Sequence, residues 1–131
     1  MHPDIALHRA YDHTPVAHGR YRVLVDRLWP RGIRREDLPH DAWPKELAPS
    51  AALRKWFGHQ AERWEEFHKR YEMELQAPAR QAALKALLDE AAGRPITLIY
   101  GARDPEHNHA LVLKDALLRV AGLSGSSRAR T

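Results

Sequence analysis

The sequence contains no cysteine. That excludes disulfide frameworks, thiolate nucleophiles, iron–sulfur clusters and cysteine zinc sites, so any chemistry rests on other groups. No run approaches the ~18 consecutive apolar residues that a membrane span needs. Nor do the first residues show the basic stretch leading into an apolar one that marks a secretory signal. The expectation is a cytoplasmic protein with no membrane partner. Three catalytic signatures are missing as well: Gly-x-x-x-x-Gly-Lys-Ser/Thr, Gly-x-Gly-x-x-Gly and Gly-x-Ser-x-Gly. Nucleotide hydrolysis by the P-loop route is thereby excluded.

What is present is a chain of 131 residues, 44% of them hydrophobic, enough for one compact domain with a buried core. The 21 Lys+Arg and 17 Asp+Glu leave a net charge of +4, and Arg128 and Arg130 of that excess lie near the end. This is modest for a nucleic-acid binder. The distribution says more than the total. Lysine is scarce beside arginine, and Arg20, Arg22, Arg27, Arg31, Arg34 and Arg35 crowd into one stretch. Guanidinium groups suit two-pronged contact with carboxylate or phosphate.

Alternation predicts a strand over Ile5–Arg9, and a β-branched run predicts a second from Tyr21 to Leu28, stopped by Pro30 and Gly32. Pro39, Pro44 and Pro49 break up the stretch from Ile33 to Pro49, with room for a short extended piece at Ala42 and Trp43. Ser50 is placed to cap a helix over Ala51–Phe57, and Gly58 to end it in the left-handed conformation. Trp64, Phe67, Tyr71 and Leu75 recur at helical spacing, predicting an amphipathic helix from about Ala61 to Gln76. Beyond Pro78, a further helix from about Ala79 to Ala92 should bury Leu84, Leu87, Leu88 and Ala91. Ile96–Tyr100 reads as a central strand buried on both faces. A last helix carries Ala110, Leu113, Leu117 and Val120 and should close at Gly122. Residues 1–121 therefore form one α/β domain, a small and mainly parallel sheet flanked by helices, and residues 122–131 form a flexible tail.

In such sheets ligands bind beyond the carboxyl ends of the strands, which draws attention to two polar stretches. The first runs from Asp26 to Gly32: Arg27 and Arg31 can clamp an anion, Asp26 can serve as a base or orient a hydroxyl, and Trp29 can offer a stacking face. Its structural alternative is an Asp26–Arg27 ion pair, Trp29 in the core and a Pro30–Gly32 turn. The second runs from Tyr100 to Ala110. There Gly101 allows close backbone approach, Arg103 adds positive charge, and Asp104 with Pro105 can start a helix whose amides attract anions. Its alternative is an ordinary helix start with His107 and His109 facing solvent. A metal site is not supported, because His107 and His109 two residues apart point to different sides of a helix. The sequence does not identify a cofactor. His59, following Gly58, keeps some functional interest.

Four motifs together, Arg22 to Gly32, Leu47 to Ser50, Trp56 to His59, and Tyr100 to Asp104 with Asn108 to Ala110, resemble the YeaO-like family. This bacterial and archaeal group is domain-of-unknown-function family 488. The resemblance spans about residues 4 to 121 and implies kinship, without implying a reaction. The motifs that carry it are the polar strand exits and loops, not the apolar stripes. The leading expectation is a small-molecule binding protein or enzyme for an anionic metabolite or nucleotide. Asp26, Asp104 and His59 are its candidate catalytic residues, and Arg27, Trp29, Arg31, Gly101, Arg103, Asn108 and His109 its candidate ligand contacts. The alternatives are a nucleic-acid-binding module using Arg20 to Arg35, with Trp29 or Trp43 stacking on a base, and a protein-interaction subunit using a patch at Trp43 or Trp56.

Overall fold

The computed structural model describes residues 3–129, with side chains to residue 122. Three strands form one parallel sheet: β1 (Ile5–Arg9), β2 (Tyr21–Leu24) and β3 (Ile96–Tyr100), in the order β1-β3-β2. Among the described residues, four α-helices accompany it: α1 (Ala51–Phe57), α2 (Trp64–Leu75), α3 (Pro78–Ala91) and α4 (His109–Ala129). β3 is buried along its length, as its apolar run and its place between two neighbours require. Ile5 and Tyr21 both pair with Ile96, so the three strands begin level; at the other end Arg9 pairs with Tyr100 and Leu24 with Ile99, one residue short of it.

The two faces of the sheet are covered differently. Ile5, Val23, Leu98 and Tyr100 point toward the helices, where they meet Phe67, Tyr71, Leu84, Leu113 and Leu117. Each such side chain, moved from water into this layer, contributes roughly 1.5–3 kcal/mol. Among the described residues, no side chain of α1 to α4 joins the cluster on the opposite face, around Leu24 and Ile99. That face is closed by Leu38, Trp29, Ile33 and Trp43 from the long connection after β2.

Caps behave locally as their residues dictate. Ser50 Oγ accepts from the Leu53 N–H at 3.2 Å, and Gly58 ends α1 at φ 54°. Pro78 opens α3, where its missing N–H costs nothing.

Several boundaries differ from expectation, each for a tertiary or local reason. β2 stops at Leu24 instead of Leu28. Val25 still bonds to Ile99 O at 3.0 Å, but the Asp26 carbonyl turns to accept from Trp43 Nε1 at 2.7 Å. The extended piece at Ala42 is a single bridge to Val23. The turn at Ala61–Arg63 is 3-10, and α2 begins at Trp64. α4 starts at His109 and not beside Pro105, because the Asp104 carboxylate takes the Glu106 N–H at 2.9 Å and closes a turn of its own. α4 also continues past Gly122 to Ala129; a glycine inside a helix costs only ~1 kcal/mol and need not end it. Of the tail expected over 122–131, the side chains of 123–129 lie outside the described residues, and residues 130–131 lie outside them altogether. Among the described residues, no helix is long and apolar enough to cross a membrane.

Candidate ligand-binding site

Because the strands are parallel and end within one residue of each other, the segments that follow them converge. Tyr11 after β1, Asp26 after β2 and Gly101 after β3 all border one open cleft of about 1050 Å³, together with the start of α4 and one side of α1. Every residue proposed above for ligand contact or catalysis lines it: Asp26, Arg27, Trp29, Arg31, His59, Gly101, Arg103, Asp104, Asn108 and His109.

Asp26 sits at the floor. Its Oδ2 accepts the Gly101 N–H at 2.9 Å, and its Oδ1 lies 3.0 Å from His109 Nε2. That nitrogen also faces the Val25 carbonyl at 3.2 Å. With acceptors on both sides, Nε2 carries the proton. One N–H cannot serve both acceptors well, and Asp26 Oδ1 is left buried without an aligned donor. Asp26 is thus partnered by His109, and the Asp26–Arg27 pair envisaged from sequence does not form.

The loop that carries Asp26, Arg27 and Arg31 is fixed by aromatic N–H and O–H groups. Trp43 Nε1 donates to Asp26 O at 2.7 Å, Trp29 Nε1 to Ile33 O at 2.6 Å, and Tyr11 Oη to Arg31 O at 2.7 Å. The two indoles meet edge-on with centroids 5.6 Å apart. All four tryptophans are half-buried.

Further along the loop after β3, Asp104 Oδ2 lies 2.8 Å from His107 Nδ1. The Glu106 amide, and then His107, hold the Asp104 carboxyl below the usual aspartate range. His107 is half-buried against Trp64, with ring centroids 5.5 Å apart, and does not simply face solvent. Asn108, only 1% exposed, donates from Nδ2 to Asp104 O at 2.9 Å, while its Oδ1 is buried with no donor. His59 stands at the exposed rim with φ 58°.

Sequence reasoning missed Arg9, Tyr11, Arg54, Lys55 and His107, which line the same cleft. Arg9 and Tyr11 were within reach of the strand-exit rule, since β1 ends there. Arg54 had no signal of its own; the fold turns α1 toward the sheet's end. Its Nε is buried and has no acceptor.

The cleft's cations are Arg9, Arg27, Arg31, Arg54, Lys55 and Arg103, set against the carboxylates of Asp26 and Asp104. Half of the wider arginine stretch is neutralised. Arg20 pairs with Asp4 at 3.0 Å, Arg22 with Asp41 at 3.1 Å and Arg34 with Asp37 at 3.1 Å, and Arg35 lies over the Trp29 ring at 4.6 Å. Among the described residues, no three His, Asp or Glu side chains gather as a metal site requires.

Fold and site together define a small α/β domain whose parallel strands open into one arginine-lined cleft. Residues 4–126 match the family described as the inactive DUF488-N3 subclade, and the chain belongs to it. The YeaO-like resemblance is sustained at the level of whole chains. The chain is 44% identical to the protein named "Uncharacterized protein YeaO" of Escherichia coli (strain K12) over 114 residues, 87% of this chain and 96% of that one. It is likewise 44% identical over 96 residues, 73% of this chain and 79% of theirs, to the proteins named Rv3073c of Mycobacterium tuberculosis (strain H37Rv) and Mb3100c of Mycobacterium bovis. No solved structure matches the chain.

Proposed function

We propose that this protein binds a small anionic metabolite in the cleft at the strand ends, and that binding rather than turnover is its activity. Arg54 carries this reading. Its Nε is withdrawn from solvent with no acceptor, an arrangement that costs about 1–3 kcal/mol when left unmet. A bound anion supplies the missing acceptor. Arg27, Arg31, Lys55 and Arg103 border the same space, and among the described residues none of them is in an ion pair with a carboxylate.

The carboxylates fit a supporting role. Asp26 Oδ2 is committed to the Gly101 amide, and both oxygens of Asp104 are engaged by its own turn. In this reading they orient the loops and the ligand and do not relay protons, while His59 guards the rim. The word "inactive" in the family's description agrees with it. The paired state of Arg20, Arg22 and Arg34 weighs against the nucleic-acid alternative, because paired guanidiniums release few counterions.

The test is titration with inorganic phosphate and with citrate at constant ionic strength, followed by thermal shift and calorimetry. The native chain should gain stability as sites fill. Arg54→Met, which keeps the apolar stem and removes the unpartnered donor, should fold at least as stably without anion yet bind at least ~10-fold more weakly, as the loss of one charge-assisted contact implies. Equal anion response in both chains would overturn the proposal.

A further inference from the structure

Resting on that anion-binding reading, we infer that the ligand is a phosphorylated sugar, free or as part of a nucleotide. The cleft holds buried acceptors as well as cations. Asn108 Nδ2 donates to Asp104 O at 2.9 Å, and turning the amide over would set two oxygens against each other, so its orientation is fixed. Oδ1 is then a buried acceptor with no donor. Asp26 Oδ1 is a second one, since the nearby His109 N–H is shared with the Val25 carbonyl.

A fully deprotonated anion with no O–H or N–H group satisfies neither atom, because it brings only further acceptors. The ligand must carry O–H or N–H groups beside its charge. An ammonium donor would meet a wall in which Arg9, Arg27, Arg31, Arg54, Lys55 and Arg103 outnumber two carboxylates. Neutral hydroxyls avoid that repulsion. The same cation excess favours a dianion such as a phosphate monoester over a single carboxylate. A cleft of about 1050 Å³ has space for a sugar and a base besides the phosphate.

The experiment is calorimetric titration of the full chain at fixed ionic strength with four probes: inorganic phosphate, propyl phosphate, ribose 5-phosphate and adenosine 5′-monophosphate. Ribose 5-phosphate should bind at least ~10-fold more tightly than propyl phosphate, as one or two hydroxyl hydrogen bonds to buried acceptors imply. That ratio should fall toward one in Asn108→Leu and in Asp26→Asn. The second variant keeps the test alive if loss of Asn108 disturbs the start of α4. Tighter binding of ribose 5-phosphate than of adenosine monophosphate supports a free sugar phosphate, and the reverse supports a nucleotide. Equal affinity for propyl and ribose phosphates, or a ratio unchanged in both variants, overturns this inference and leaves anion binding standing. Failure of every phosphate to bind overturns this inference, and failure of citrate as well overturns the anion-binding reading.

Discussion

Gly101 is the position where one methyl group should report on the whole site. A Cβ built there would lie 2.6 Å from Asp26 Oδ2 and 3.7 Å from Tyr11 Cε2. The second is an ordinary contact, whereas the first is not tolerable. The Asp26 backbone cannot recoil freely, because Trp43 Nε1 holds its carbonyl at 2.7 Å, and His109 Nε2 stands 3.0 Å from the other carboxylate oxygen. Gly101→Ala should therefore drive the carboxylate off the Gly101 N–H. Loss of that charge-assisted bond costs about 2 kcal/mol, which for a chain of this size lowers Tm by roughly 8 °C. Gly101 is not among the glycines with positive φ, so alanine carries no backbone penalty of its own. The decisive assay is a double-mutant cycle by urea denaturation. In an Asp26→Ala background the clash is gone, and Gly101→Ala should be neutral or stabilise by ~0.5 kcal/mol through the unfolded chain. An equal cost in both backgrounds would refute the reasoning.

Two further outcomes follow from the same loops. Trp43→Phe keeps an aromatic ring beside Trp29 but removes the donor to Asp26 O; it should lower stability by about 1–2 kcal/mol and weaken phosphate binding together with it, and unchanged urea curves would contradict the clasp assigned to Trp43. Asp104, held below its ordinary value of 3.8 by the Glu106 amide and then by His107, should titrate below that value by carboxyl NMR. Because the folded state binds this proton more weakly than the unfolded one, its stabilising contribution is complete above the ordinary value and disappears as pH falls through the folded one. Asp104→Asn should flatten that acid limb of the stability profile, and an unchanged limb would show that the turn is held by other groups.

Much of this molecule is written in local pattern. The strand at Ile96–Tyr100, the stripe of Phe67, Tyr71 and Leu75, and the Ser50 and Gly58 caps need only neighbours along the chain to be recognised, because periodicity and turn chemistry act within a few residues. The polar strand exits at Asp26 and Gly101 were legible for a similar reason, since topology sends ligands to strand carboxyl ends whatever the detailed packing. What packing alone decided lies between distant segments. Local signals suggested an Asp26–Arg27 pair, but the parallel register places Asp26 against Gly101 and His109 instead. They suggested a basic patch at Arg20 to Arg35, but Asp4, Asp41 and Asp37 pair with Arg20, Arg22 and Arg34, half of its arginines. Nothing near Arg54 marked it as a lining residue, nor did anything near Trp43 mark it as the donor to Asp26. A side chain's spacing reports which face it occupies, whereas its partner is chosen by strand order and register, which join residues far apart in sequence.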